Sequence, residues 1–301
     1  MTILNNTSDG LHPELIVLFR AVAHLGKVEA EELIRICFPG SVSEASASAI
    51  ARLRGALSRW TELGLFKENE GHICLNDRYV KEKKESLDDF TNKLPSFCRN
   101  LALEERNALP LWGESTAVAA DFVRGIAWLL AQNIYGFPTT WTGAESIENE
   151  QIVGGRKIFQ NDTRWTNLRF WARYLGFASG DGGSFINDPT SAIRDELPLI
   201  FGTQKELPAK DFLSALSIRL PVLDYGVYRK DVEGSLSMTT WRKPTEGHLS
   251  MSLSLALRRL DLSATIKLAG KADTGSSFRL TGRNYRTWVG FESVIWDGGV
   301  K

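Results

Sequence analysis

The sequence predicts a mainly α protein with small β-hairpins, an α+β fold in which one helix-and-hairpin unit is repeated. An amphipathic helix followed by a short hairpin occurs three times along the 301 residues. In each case a leucine-containing tripeptide, with a central glycine in two of the three, marks the end of the helix. The hydrophobic content of 43% and the charged content of 24% are close to those of ordinary globular proteins. Each unit therefore has enough apolar residues to build a core.

Residues 1–90 are expected to form the first domain, which begins with two helices. The segment LHPELIVLFRAVAHLG has apolar residues along one helical face and ends at a glycine that stops the helix. These apolar residues are Leu15, Leu18, Phe19, Val22 and Leu25. The segment EAEELIRICF predicts a second, shorter helix that ends before Pro39.

A third helix and a hairpin complete this domain. The segment SEASASAIARLRGALSRWTELG predicts a helix with Ser43 or Ser46 as its N-cap and Gly64 as its C-terminal stop. Its inward face is expected to carry Ile50, Leu53, Leu57 and Trp60. The following LFKENEGHICL predicts two short strands around a Glu-Asn-Glu-Gly turn.

Residues 91–204 are expected to form the second domain, a helical spacer followed by a second copy of the unit. The segment DRYVKEKKESLDDFTNKLPSFCRNLAL is typical of a charged helix leaving the first hairpin, and STAVAADFVRGIAWLLAQNIYGF of a buried one. The polar PTTWTGAESIENEQIVGG is expected to be a loop. After the second hairpin, Asp188-Pro189 opens a helix that continues through Leu197.

The first two copies can be aligned residue by residue. Leu63-Gly64-Leu65 corresponds to Leu175-Gly176-Phe177, and Asn76-Asp77 corresponds to Asn187-Asp188. The tryptophans are out of step by one position, because Trp60 lies three residues before Leu63 and Trp171 lies four residues before Leu175. The shared stop and hairpin indicate a repeat, since unrelated helices seldom have both.

Residues 205–301 are expected to form the third domain, which is the basic part of the chain. They hold 15 basic and 10 acidic residues, a difference of 15 − 10 = +5, whereas the whole chain has 36 of each. The segment HLSMSLSLALRRLDLSATIKLAGKADTGSSFRL predicts a helix that ends at Leu260-Asp261-Leu262 and a hairpin at 266–280 that turns at 271–275. The final NYRTWVGFESVIWDGG predicts one or two strands, whose Trp288 and Trp296 either pack in the core or mark a protein interface.

The cysteines and the apolar runs favour a cytoplasmic protein. Cys37, Cys74 and Cys98 are odd in number and far apart, which is typical of reduced thiols. The N-terminal residues do not have the pattern of a signal peptide. No apolar run approaches the ~20 residues that a spanning helix needs.

In its three helices followed by a hairpin, the chain resembles the bacterial winged-helix superfamily, in tandem arrangement. The resemblance involves residues 10–80, 160–200 and 205–282. In its length and three-part layout, the chain resembles DpdG-type accessory proteins of bacterial deazapurine DNA modification and restriction clusters. That resemblance implies a role in defence and binding to DNA or partner proteins, and it implies no catalytic residues.

Nine cations are candidate DNA contacts. Arg52, Arg54 and Arg59 lie on the outer face of the third helix, where small residues would let the helix approach a phosphate backbone. In the third domain the candidates flank the expected hairpin and are Arg258, Arg259, Lys267, Lys271, Arg279 and Arg283. A cationic hairpin laid along a groove gains affinity by releasing counterions.

Each group of cations also has an alternative interpretation without DNA. The first domain has a net charge of 11 − 14 = −3, so its arginines would simply occupy a solvated helix face. In the third domain, cations near the end of a helix are favoured by the helix macrodipole alone.

No motif predicts catalysis, a metal site or a cofactor. His12, His24 and His248 are isolated, and His72 lies near Cys74 alone, which cannot complete a tetrahedral metal shell. The Gly-rich SGDGGSF follows a helix and enters a strand, which is the order of a hairpin turn and the reverse of a phosphate-binding loop. The sequence therefore predicts a protein that is not an enzyme.

Together with the resemblance, these features predict a DNA-binding accessory subunit of a bacterial DNA-modification or antiviral defence complex. Its expected partners are the DNA backbone and other protein subunits, with no membrane attachment and no small-molecule cofactor. Two alternatives stay open: a protein–protein adaptor whose winged helices hold partner subunits without touching DNA, and a stand-alone transcriptional regulator.

Overall fold

The computed structural model describes residues 2–4, 12–38, 44–113, 116–180, 184–270 and 277–298. The chain forms two compact units. The first comprises Met1–Phe122 with Thr163–Asn167, and the second comprises Val123–Asp162 with Leu168–Lys301. The division into three domains by repeat stays a prediction.

The first unit contains six helices and three strands among its described residues. In order, they are α1 His12–Leu25, β1 Val28–Glu29, α2 Ala30–Cys37, α3 Glu44–Leu63, β2 Phe66–Asn69, β3 His72–Leu75, α4 Leu87–Asn92, α5 Leu94–Leu103 and α6 Glu105–Ala108. The strands form an antiparallel sheet in the order β1-β3-β2. Three helices followed by a hairpin are thus present where the sequence predicts them.

The β2–β3 hairpin has a two-residue turn that explains its register. Glu70 and Gly71 both have positive φ, at 51° and 75°, which is the backbone of a type I′ turn. Asn69 therefore pairs with His72, and Phe66 pairs with Leu75. The added strand β1 was not predicted, because two residues are too few for an alternating pattern.

The core of the first unit follows the predicted helical faces. Helix α1 contributes four fully buried side chains, those of Leu15, Leu18, Phe19 and Val22. Trp60 of α3 is almost fully buried. Leu25, which was predicted to share the α1 face, is exposed because it is the last residue of the helix.

The charged helix predicted after the first hairpin is divided into α4 and α5, and residues 78–86 are not helical. Ser86 caps α4, since its hydroxyl accepts a hydrogen bond from the Asp89 backbone at 3.0 Å. Pro95 lies in the first turn of α5, where it favours a new helix start over the continuation of α4.

The second unit contains the remaining elements. In order, they are α7 Ala120–Leu130, α8 Trp141–Gln151, α9 Asp162–Tyr174, β4 Ala178–Ser179, β5 Ile186–Asn187, α10 Thr190–Phe201, β6 Glu206–Pro208, α11 Ala209–Arg219, α12 Val227–Glu233, α13 Met251–Leu262, β7 Lys267–Ala269, β8 Phe278–Thr281, a 3-10 turn Arg283–Tyr285, β9 Thr287–Phe291 and β10 Ser293–Ile295. The chain crosses between the two units within α7 and α9.

Helix α8 corrects the prediction of a polar loop at 138–155. Thr140 caps the helix by accepting a hydrogen bond from the Gly143 backbone at 3.3 Å. Ala144, Glu148 and Gln151 are buried along one face. The composition resembled that of a loop because two of these buried residues are polar. Glu148 accepts hydrogen bonds from the backbone of Ile158 and Phe159, and Gln151 is hydrogen-bonded to Trp128 and Gln132.

The hairpin predicted at 266–280 is not formed by the described residues. Strand β7 pairs with β10, with Leu268 opposite Val294, and β8 pairs with β9, with Phe278 opposite Phe291. Strands β7 and β8, which were expected to pair with each other, therefore lie in different sheets. Each pairs with one of the C-terminal strands, which are rich in aromatic and β-branched residues. Residues 271–276 of the expected turn lie outside the described residues.

The three helices that the sequence predicts to be copies of one unit, α3, α9 and α13, end in the same hydrogen-bonded motif. Gly64, Gly176 and Ala264 take the left-handed position, with φ of 97°, 80° and 54°. The next residue then donates its backbone N–H five residues back, at 2.8, 2.7 and 2.9 Å, in the pairs Leu65 to Trp60, Phe177 to Ala172 and Thr265 to Leu260. The third helix, α13, ends at Leu262, within the predicted Leu260-Asp261-Leu262 stop, and the left-handed Ala264 follows two residues later.

The same hydrogen bonds refine the alignment of the first two copies. Trp60 corresponds to Ala172 and not to Trp171, which explains why the tryptophans are out of step. Asn76 donates its N–H to the carbonyl of Leu65 and Asp188 donates to that of Phe177, so Asn76 corresponds to Asp188.

We expect Ala264→Gly to raise the free energy of unfolding by about 0.5–1 kcal/mol, because glycine adopts the left-handed backbone without a Cβ penalty. Urea denaturation measures the change. The matched variant Gly176→Ala should be destabilising, since its Cβ would lie 2.8 Å from the backbone nitrogen of Ala192. A less stable Ala264→Gly protein would contradict the shared helix-end motif.

Candidate nucleic-acid interface

The three arginines of α3 are all paired with carboxylates. Arg52 lies 2.8 Å from Glu14, Arg54 lies 2.7 Å from Glu31, and Arg59 lies 2.7 Å from Glu62. The first two pairs are partly exposed and can be exchanged for phosphate contacts at small cost. Arg59 is only 8% exposed, so its side chain does not reach the surface that was predicted to contact DNA.

The two arginines of α13 are also paired with carboxylates. Arg258 lies 2.8 Å from Asp261, and Arg259 forms a short ion pair with the buried Asp188. Asp188 is held in turn by Thr190, whose N–H and hydroxyl both donate to it. Arg259 thus has a structural role that sequence spacing does not show.

The remaining predicted cations are distributed over separate elements. Within the described residues, none of Lys267, Arg279 and Arg283 forms an ion pair. Lys267 lies on β7 and Arg279 on β8, in different sheets, and Arg283 begins the 3-10 turn. Lys271 lies outside the described residues.

Arg279 lines a cleft whose residues could not be grouped from the sequence. We call it the wide cleft: about 890 Å³, lined by Asp224, Tyr225, Lys230, Glu233, 243–248 and 277–279. Backbone hydrogen bonds hold loop 243–248 against β8, because Arg279 donates to Gly247 at 2.8 Å and accepts from Leu249 at 2.9 Å. Cations from α12, the loop and β8 are thereby brought to one surface.

Two of the three carboxylates in the wide cleft are directed to a buried arginine. Arg229 is 1% exposed, lies 2.6 Å from Glu233, and lies 3.8 Å from Asp224. Asp224 also accepts hydrogen bonds from the backbone and hydroxyl of Ser250, both at 2.6 Å. These carboxylates are therefore neutralised from behind the cleft surface.

The cations of the wide cleft remain available. Across the described part of the chain, Lys230, Lys243 and Arg279 form no ion pair. Glu246 is the one lining carboxylate that no described cation pairs with. The wide cleft therefore presents more positive than negative charge to solvent.

Exposed aromatic rings accompany these cations. Tyr225 is exposed at the wide cleft, and burial of its hydroxyl, with Asp224 and Glu233 nearby, raises its pKa to about 12. The hydroxyl therefore stays protonated at physiological pH. Tyr285 is 41% exposed and carries the guanidinium of Arg242 over its ring, 4.2 Å from the centroid. Such rings can stack on nucleobases.

A second cleft is lined in part by the same loop. This narrow cleft measures about 170 Å³ and is lined by 131–133, Gln151, 240–245, 248–251, Thr281 and Tyr285. It shares Lys243, Pro244, Thr245 and His248 with the wide cleft. The two clefts and loop 243–248 form the candidate interface.

Sequence reasoning missed Lys230 and the role of the loop, although one signal was present. The segments WRKPTEGH and RNYRTW alternate basic and aromatic residues, a composition that suits stacking and phosphate contact. The carboxylates that neutralise other cations come from distant helices and could not be assigned from spacing.

The described residues contain no group of three or more potential metal ligands. Among the helices that they form, none combines the length and the apolar character needed to cross a bilayer.

The comparisons with known proteins identify one family. A family model described as DpdG-like matches residues 1–274 of the chain. Neither the curated proteins nor the solved structures include a match. The matched range contains α12 and loop 243–248 and ends before Arg279 and Tyr285.

Proposed function

The chain belongs to the DpdG-like family, and from this premise we propose that it is a non-enzymatic, DNA-binding accessory subunit of a bacterial deazapurine DNA-modification or restriction machinery. The family suggests a role in the deazapurine modification cluster and a complex with other subunits. We propose that the repeated helix-and-hairpin units are winged helices that support the DNA-binding surface.

The observation that carries the DNA-binding proposal is the unpaired cation group of the wide cleft. Lys230, Lys243 and Arg279 line the same open cleft, while Arg229 neutralises the neighbouring carboxylates. Lysine and arginine side chains bind phosphates and release counterions, which provides affinity without sequence preference. The chain's zero net charge does not oppose this, because local charge decides the encounter.

One observation favours the alternative, a protein–protein adaptor. Five of the arginines predicted to contact DNA are paired with carboxylates, namely Arg52, Arg54, Arg59, Arg258 and Arg259. Under the adaptor proposal, these helical surfaces hold partner subunits and nucleic acid is not bound.

Fluorescence anisotropy with labelled duplex and single-stranded DNA separates the two proposals. Three phosphate contacts predict a slope of about −2.7 in log K against log salt for duplex, or a loss of roughly 40-fold in affinity between 50 and 200 mM salt. Absence of binding to either DNA at 50 mM salt would favour the adaptor.

A further inference from the structure

We propose that the narrow cleft receives one unstacked base of the bound DNA, which enters beside Tyr285 while the cations of the loop hold the adjoining phosphates. This inference rests on the proposed DNA-binding function and adds the form of DNA that is recognised. It is carried by three independent features of the narrow cleft: its space, its polar floor and its aromatic mouth.

The narrow cleft is large enough for a heterocycle and too small for a helix or a duplex. A buried water needs about 10–15 Å³ of space, and this cleft offers about 170 Å³. It is lined by polar and apolar groups together, as ligand sites usually are. A single planar group of about ten heavy atoms is therefore a suitable occupant.

The floor of the narrow cleft contains two buried amides whose orientation is fixed. The Trp128 indole N–H donates to Oε1 of Gln151 at 3.0 Å, and Nε2 of Gln151 donates to Oε1 of Gln132 at 2.9 Å. Nε2 of Gln132 then donates to the carbonyl of Trp128 at 3.0 Å. Because an indole only donates and a carbonyl only accepts, neither amide can be flipped.

The closed network leaves each amide with one further N–H beyond the bonds that hold it. Gln132 and Gln151 both line the narrow cleft. Preoriented amides are the groups that proteins use to bind the hydrogen-bonding edges of bases. The floor can therefore bind the edge of a base without rearrangement.

Thr281 adds an unpartnered hydroxyl to the lining of the narrow cleft. Its residue is only 7% exposed, it lines the narrow cleft, and its hydroxyl has no hydrogen-bond partner in the described structure. Buried hydroxyls are ordinarily hydrogen-bonded, so an unpartnered hydroxyl on a residue that lines a cleft favours a ligand with a polar group there.

The mouth of the narrow cleft presents Tyr285 in a strained backbone. Asn284 and Tyr285 both have left-handed φ, at 57° and 60°, a backbone that asparagine tolerates and that is unfavourable for tyrosine. A hydrogen bond from Gly282 N–H to the Arg286 carbonyl, at 2.7 Å, closes this turn. The Tyr285 ring and the Arg242 guanidinium are thus held as a stack on which a base can continue.

A base inside a duplex cannot use these features, because its faces are covered and its edge is paired. An unstacked base can place its face on Tyr285 and its edge on the two amides, as proteins that extrude bases do. Lys243 lines both clefts and is placed to hold a phosphate next to that base. The strand then continues along the wide cleft.

The test compares three 5′-labelled probes under identical salt: a fully paired duplex, the same duplex with one unpaired base, and its single strand. The expected result is that the single strand and the bulged duplex bind roughly 5- to 150-fold more tightly than the paired duplex, the range that one stacked base provides. Equal affinity for all three probes would overturn the inference and leave the proposed function standing. Absence of binding to all three would overturn the proposed function itself.

Two variants locate the effect. Tyr285→Ala should remove most of the preference for unpaired DNA, because binding of the single strand and the bulged duplex should fall more than binding of the paired duplex. Thr281→Val should reduce the same preference by a smaller factor. Phe170→Ala, at an exposed aromatic of α9 outside both clefts, is the control. Equal loss for paired and unpaired probes in Tyr285→Ala would overturn the inference, because it would indicate a general effect on binding or folding.

Two further probes distinguish the source of the base. A free nucleoside monophosphate that displaces the single strand at equal molar concentration would show a mononucleotide site and overturn the strand proposal. A single-stranded RNA of the same sequence that binds more tightly than the DNA would assign the cleft to RNA. Weaker binding of both supports single-stranded DNA as the ligand.

Discussion

Reversing the charge of Lys243 and Arg279 together should lower DNA affinity at 50 mM salt by at least about 30-fold. Each side chain loses a phosphate contact, and each new carboxylate repels the strand. The slope of log K against log salt should also become shallower by about two contacts, since two fewer counterions are released. The loop itself should persist, because Arg279 holds it through backbone hydrogen bonds.

The matched control carries the same change in net charge outside the clefts. Lys205→Glu with Lys210→Glu alters two exposed lysines of the second unit that form no ion pair in the described structure. Anisotropy titrations at several salt concentrations, with circular dichroism to check folding, measure both double variants. Equal losses in the two would mean that net charge, and not the cleft, controls binding.

The local parts of the fold could be predicted from the sequence, because the helices and their ends depend on neighbouring residues. The apolar face of α1 and the stop at Gly64 follow from spacing and from the left-handed backbone that glycine permits. Gly176 ends its helix in the same way. The left-handed Ala264 was missed because alanine gives no such signal.

Strand partners could not be predicted, because pairing in the second unit joins segments that are far apart in the sequence. Strand β10 lies between β6 and β7, although about 90 residues separate the first of these from it. Proximity in sequence favoured pairing β7 with β8, and the structure pairs each with a C-terminal strand. Because β7 and β8 have these other partners, they do not form the cationic hairpin that was expected.

In the candidate site, too, individual residues could be predicted from the sequence, but contacts between distant segments could not. The sequence identified Arg279 as a candidate contact, but it gave no means of knowing that Arg54 would meet Glu31 or that Arg259 would meet Asp188. The narrow cleft combines segments from residue 131 to residue 285. Burial of a polar residue such as Gln151 becomes informative only when its partners are known.

Replacement of Arg229 by methionine should lower the free energy of unfolding by about 3 kcal/mol, the low end of the 3–5 kcal/mol typical for breaking a buried ion pair. Asp224 and Glu233 would be left without their cation, and Asp224 is itself mostly buried. The loss stays at the low end because the two Nη atoms of Arg229 already have no hydrogen-bond partner in the described structure. Urea denaturation measures the difference.

Arg20→Met is the matched control, since the Arg20–Asp88 pair is exposed on both sides and should change stability by less than about 1 kcal/mol. The folded fraction of Arg229→Met should also bind DNA more weakly, because two unneutralised carboxylates would then border Lys230 in the wide cleft. A stable Arg229→Met protein with unchanged DNA affinity would show that Arg229 neither supports this part of the fold nor controls the charge of the wide cleft.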